Sequence, residues 1–145
     1  MTNDLKVFGI WAKIESVDFS QVMGSIQEKH RFDLQKTHAC IDMYKNLLKI
    51  AFLFPGKMVV PPWCVDVVCH LHFESMKACS RQRMYMLGRY VYHDATIFNT
   101  EPFWYAWRFT KEKMHELFDE DLDLTKKLAA KPYEFDAAVC AITVV

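Results

Sequence analysis

Between Asp33 and Pro55-Gly56, apolar side chains recur at Leu34, Ile41, Tyr44, Leu47, Leu48, Ala51 and Phe52, with His38 on the same stripe. Spacings near three, four and seven put them on one side of a long helix, whose apolar side needs other elements packed on it. Asp33 can accept from the first free backbone N–H groups, and Pro55-Gly56 ends the periodicity. The chain holds four Gly and five Pro among 145 residues, which disfavours a many-turned β-sandwich. A chain of this length buries about 68–70% of its unfolded surface, enough for one self-sufficient core. The expectation is an all-α fold: a single compact multi-helix domain over residues 1–145.

The rest of the chain supplies partners for that helix. Leu5, Phe8, Trp11, Ala12 and Ile14 mark a first helix over about residues 4–14. Ser16-Val17-Asp18 offers caps for a second, with Phe19, Val22, Met23 and Ile26 on one side and an end near Glu28-Lys29-His30. Pro61-Pro62 suits the entry of a fourth helix, since proline is tolerated only in the first turn. It is expected to run from about Pro62 to Met86, with Gly88 as its C-terminal cap. Residues 89–93 read as a short extended segment. Thr100-Glu101-Pro102 restarts a helix through Phe103, Trp107, Met114, Leu117 and Phe118, and residues 122–130 can add a short one. The tail is irregular or extended, with Ala141–Val145 paired or docked on the body.

Charge excludes some functions. Lys plus Arg equals Asp plus Glu at 18 each, so no global field draws the chain to nucleic acid or to an anionic membrane. The most basic stretch, Lys77 to Arg89, reads as the solvated end of a helix. The N-terminus lacks a basic region followed by an apolar one, and the longest apolar run is broken by prolines and Asp66. Cys40, Cys64, Cys69, Cys79 and Cys140 are an odd set without Cys-x-x-Cys pairs, which fits free buried thiols in a reducing compartment and a cytoplasmic protein. Phosphate-binding glycine loops and the His-Glu-x-x-His zinc motif do not occur in the sequence.

The densest chemistry lies in Pro61-Pro62-Trp63-Cys64-Val65-Asp66-Val67-Val68-Cys69-His70-Leu71-His72-Phe73 and in Leu87-Gly88-Arg89-Tyr90-Val91-Tyr92-His93-Asp94. Over about residues 33–118 this pattern resembles the glycine-rich-domain-containing-protein-like family. There an Asp leads into Trp-His-x-His, and Gly-Arg leads into His-Asp-Pro; here Cys69 replaces the Trp and Ala95 the Pro. The resemblance implies an α-helical fold in which Asp66, His70, His72 and His93 occupy the recurring polar positions, and it carries no activity with it.

On a helix, Asp66 and His70 are neighbours four residues apart, whereas His70 and His72 point about 200° apart and make no ready chelate. Cys69, His72, Met76 and Cys79 form a second stripe suited to the core. Two arrangements of the polar residues compete. Asp66 can fix His70 as a polar staple that reaches His93 or a backbone carbonyl, which the helix spacing already favours. Alternatively, His70 and His93 converge with Asp66 or Asp94 on a divalent metal.

Phe103, Trp104, Tyr105 and Trp107, followed by Arg108, form an aromatic cluster with core and rim character. Large aromatics and Met are favoured at interfaces. The first functional expectation is a small intracellular protein-interaction or adaptor domain whose partner is another protein, not nucleic acid or membrane, and which carries no recognisable catalytic motif. The second is a metal-binding or metal-dependent protein centred on His70 and His93.

Overall fold

The computed structural model describes residues 2–76 and 82–145, with side chains from Val7 onward. In chain order it contains α1 (Thr2–Glu15), α2 (Ser20–His30), α3 (Leu34–Leu53), α4 (Trp63–Ser75), β1 (Arg83–Met86), β2 (Arg89–Asp94), α5 (Glu101–Phe118), α6 (Leu122–Leu128), a 3-10 turn at Pro132–Phe135 and β3 (Ala141–Val144). The strands form one antiparallel sheet in the order β1-β2-β3. The all-α expectation is therefore overturned: the fold is mixed, with helices packed against a small sheet.

The error lies at the fourth helix, which ends at Ser75 rather than Met86. From Arg83 to Met86 the burial alternates, with Arg83 and Tyr85 outward and Met84 and Met86 inward. That is the period of a strand, but four residues of Met, Tyr and Arg are compatible with a helix as well. Leu87 and Gly88 both have positive φ, 53° and 80°, and Met86 pairs with Arg89 across them. This is a two-residue hairpin turn of type I′. Gly88 thus supplies the left-handed backbone expected of it, in a β-turn and not at a helix end. Cys79 and Arg81, expected in that helix, lie outside the described residues.

α3 runs through the middle of the molecule and packs against α1, α2, α4, α5 and β3. Its Asp33 cap accepts from the Lys36 N–H at 2.7 Å. Its buried side carries Thr37, Cys40, Ile41, Tyr44, Leu47, Leu48, Ile50, Ala51 and Phe52. Leu34 and His38, expected on that stripe, are exposed because the buried side begins at Thr37. α5 is capped by Thr100, which accepts from the Phe103 N–H at 3.4 Å.

β3 is held on both sides. One edge pairs with β2, and on the other Val59 and Ile142 exchange two backbone hydrogen bonds of 2.8 Å while the Gly56 N–H donates to the Val144 carbonyl. Ile142 and Val144 are fully buried and join the core that includes α3, Met84 and Val91. Among the described residues no helix is long and apolar enough to cross a membrane.

Candidate metal centre

Three separate stretches bring side chains together where α4 meets the sheet. Pro62 caps α4 with extended backbone, so the helix starts abruptly and places Asp66 in its first turn, where the helix dipole favours a carboxylate. His70 follows one turn later. Inward alternation along β2 buries Val91 and His93. His93 lies opposite Ile142 of β3, and Cys140 precedes Ile142 by two residues, which sets it on the same side of the sheet and diagonal to His93. The approach to β3 is itself guided. The Trp63 N–H donates to the Asp136 carbonyl at 3.1 Å and the Ala138 N–H to the Pro61 carbonyl at 2.9 Å, fastening residues 136–138 along the entry to α4.

The result is a cluster of Asp66, His70, His93 and Cys140 in which one ligand atom from each side chain lies within 4.8 Å of all the others. Asp66 is the hub. Its Oδ2 is 3.0 Å from His70 Nε2; its Oδ1 is 3.5 Å from His93 Nε2 and accepts from the Cys140 thiol at 2.7 Å. The His70 and His93 rings stand 4.6 Å apart and nearly perpendicular. Asp66, His93 and Cys140 are buried, while the His70 side chain remains 53% exposed.

Burial opposes the Asp66 charge, yet hydrogen bonds from His70, His93 and Cys140 outweigh it and hold the carboxyl well below the usual carboxylate range. The hydrogen bond to Asp66 raises His70 against the effect of its own partial burial. Burial, followed by the negative charge of Asp66, pushes the Cys140 thiol up. Tetrahedral ligation at about 2.0–2.3 Å would set neighbouring donor atoms about 3.3–3.8 Å apart, a span the observed separations bracket. The group lies close enough to hold a metal ion.

Other expected site residues fall elsewhere. His72 points away from the cluster into the helical core, with Nδ1 2.7 Å from the Tyr44 hydroxyl. Burial pushes its pKa down to about 4, so the ring is neutral and shares a hydrogen bond with the Tyr44 hydroxyl. Asp94, at the end of β2, accepts from the N–H and hydroxyl of Thr96 at 2.8 and 2.6 Å and closes a local turn. The aromatic cluster divides. Phe103 and Trp107 are core residues, while Trp104, Tyr105 and Arg108 are exposed, with the Arg108 guanidinium 5.2 Å from the Tyr105 ring.

The sequence does not single out Cys140. It lies 74 residues from Asp66, and its place in the cluster follows from the β2–β3 register, for which no local spacing is a signal. Comparison of the chain with models of protein families, with curated proteins and with solved structures finds no match.

Proposed function

We propose that this protein binds zinc, with Asp66, His70, His93 and Cys140 as the four ligands of a structural centre. The observation that supports it most is the convergence of four donor atoms, from three distant stretches of chain, within 4.8 Å. Imidazole, carboxylate and thiolate together suit a borderline-soft divalent ion such as zinc. Four protein ligands leave no open position, which argues for a structural role over a catalytic one. The ion would tie α4 to the sheet, so metal affinity becomes folding free energy. A positive ion would also favour the Cys140 thiolate, which burial and Asp66 disfavour in its absence.

The same side chains can serve as a polar staple around Asp66. The thiol favours the metal reading, because a staple gains little from a weak S–H donor, whereas a thiolate is a strong zinc ligand. Elemental analysis of the purified chain and titration with Co2+ decide between them. Expected are one equivalent of zinc and, with cobalt, a thiolate charge-transfer band that Cys140→Ser removes. A preparation that neither carries nor takes up metal returns the cluster to a staple.

A protein-interaction role is a second reading, supported by the exposed aromatic side of α5. Tyr105 is 69% and Trp104 41% exposed, an arrangement suited to a protein partner. The two readings are compatible, with a zinc-stapled scaffold presenting α5.

A further inference from the structure

A cavity of about 360 Å³ lies between α3, α4 and the segment after α6, away from the proposed zinc ligands. Cys40 and Met43 of α3, Cys64 of α4 and Phe135 line it, together with Lys36 and Glu134, which form an ion pair at 2.5 Å. Cys64 and Glu134 also line a smaller neighbouring cavity beside Trp63 and Val67. Cys40 and Cys64 are both free, buried cysteines that line the same cavity, and their side chains are close enough to influence one another. Each is about 5% exposed or less, and that small surface faces the cavity.

The pair is not symmetric. Lys36 stands one helical turn before Cys40 on α3, where its ammonium favours a thiolate. The side-chain interaction with Cys64 holds the Cys40 thiol below its ordinary value against the effect of burial; Lys36 adds to the lowering, and Glu134, paired with that lysine, opposes it. A cysteine beside a second thiol on the wall of a cavity is an arrangement in which a sulfenic acid formed on one can be resolved by the other as a disulfide.

We propose that Cys40 and Cys64 form a reactive dithiol site that reduces an organic hydroperoxide entering this cavity and closes to a disulfide. The Cys40 thiolate attacks the terminal oxygen of the hydroperoxide and the O–O bond breaks. The alkoxide leaves and takes up the proton lost by Cys40, giving the alcohol and a Cys40 sulfenic acid. The Cys64 sulfur then attacks the Cys40 sulfur; the S–O bond breaks, and the departing hydroxide takes the Cys64 proton to leave as water. Two thiols and one hydroperoxide become one disulfide, one alcohol and one water, with two electrons passing from sulfur to oxygen. The apolar wall, with Met43 and Phe135, favours a peroxide with a hydrocarbon body over hydrogen peroxide.

The test treats the reduced full chain with cumene hydroperoxide and, separately, with hydrogen peroxide, and follows intact mass and the peptide map. The expected product is lighter by about 2 Da, two hydrogens, with the bridge mapped to Cys40 and Cys64. It should form at least about tenfold faster with cumene hydroperoxide, the gain expected from burying a few methyl groups. Dimedone should label Cys40 in Cys64→Ser and leave Cys64 unlabelled in Cys40→Ser. No bridge, a bridge through Cys69 or Cys140, equal rates for the two peroxides, or labelling of Cys64 would each overturn the proposal. If a serine variant fails to fold, the map and rates of the unaltered chain decide alone. Zinc content is read on the same samples, so failure of this site is distinguishable from failure of the metal centre.

Discussion

The Tyr44 hydroxyl lies 2.7 Å from Nδ1 of His72, and Phe19 packs edge-on against both rings. This contact joins α3 to α4 on the side of α4 turned away from Asp66. The two histidines of His70-Leu71-His72 therefore do unrelated work: His70 belongs to the cluster at the sheet, and His72 to the helical core.

Tyr44→Phe should separate these roles. It keeps the ring but leaves a buried imidazole nitrogen without its hydrogen-bond partner, which costs on the order of 1–3 kcal/mol. Urea denaturation should show that loss while metal content stays unchanged. His72→Ala should likewise destabilise without removing metal, whereas His70→Ala should remove it. Loss of metal from Tyr44→Phe in a folded protein would contradict the division.

The aromatic cluster of α5 calls for a similar separation. Phe103 is fully buried and Tyr105 is 69% exposed. Phe103→Ala should cost about 3–5 kcal/mol through the cavity it leaves, whereas Tyr105→Ala should stay within about 0.5 kcal/mol. Thermal denaturation of the two variants reads the difference directly. Comparable losses would place Tyr105 in the core.

Much of the helical framework is visible in the sequence because its signals are local. Asp33 and Thr100 cap α3 and α5 through side-chain contacts only three residues long, and Pro61-Pro62 marks the start of α4. The sheet is less visible. β1 has four residues, too few for alternation to be told from helical spacing, and although the tail from Ala141 reads as extended, nothing local shows what it pairs with. Their identity depends on pairing with β2, and β3 joins it from almost 50 residues away. The metal cluster inherits that limit. Asp66 and His70 share a helix and can be paired by counting, His93 lies in a segment that reads as extended, and Cys140 arrives through a strand register that no local pattern shows.

Glu120 carries a pH signature. Its Oε1 accepts from Asn46 at 3.4 Å, and its Oε2 has no hydrogen-bond partner among the described residues. Burial raises its pKa, and Asp42 adds to the shift against the Asn46 hydrogen bond. The folded chain thus ionises this carboxyl later than the unfolded chain. Its contribution to stability is complete below the ordinary value of 4.5 and is lost as pH rises through the folded value. Glu120→Gln should therefore stabilise the protein at pH 7, and the gain should vanish as pH falls below that ordinary value. Solvent screening of a half-buried group keeps the gain under about 1 kcal/mol. A gain of the same size at both pH values would assign the effect to packing.

The hairpin between β1 and β2 contains a mismatch between residue and backbone that can be corrected. Leu87 takes φ 53°, a left-handed conformation that costs a non-glycine residue about 1–2 kcal/mol. Asparagine tolerates it, and Asn-Gly is the preferred pair for a type I′ turn. Leu87 is 37% exposed, so its replacement gives up only part of an apolar side chain's burial. Leu87→Asn should therefore raise stability by about 0.5–1 kcal/mol, seen as a higher urea midpoint with unchanged slope. Gly88→Ala supplies the opposite arm. A Cβ there would meet no atom within 4 Å, so any loss comes from the φ of 80°, and it should be about 1 kcal/mol. If Gly88→Ala is neutral and Leu87→Asn lowers the midpoint, the turn is not type I′, and the pairing of Met86 with Arg89 would have to be redrawn.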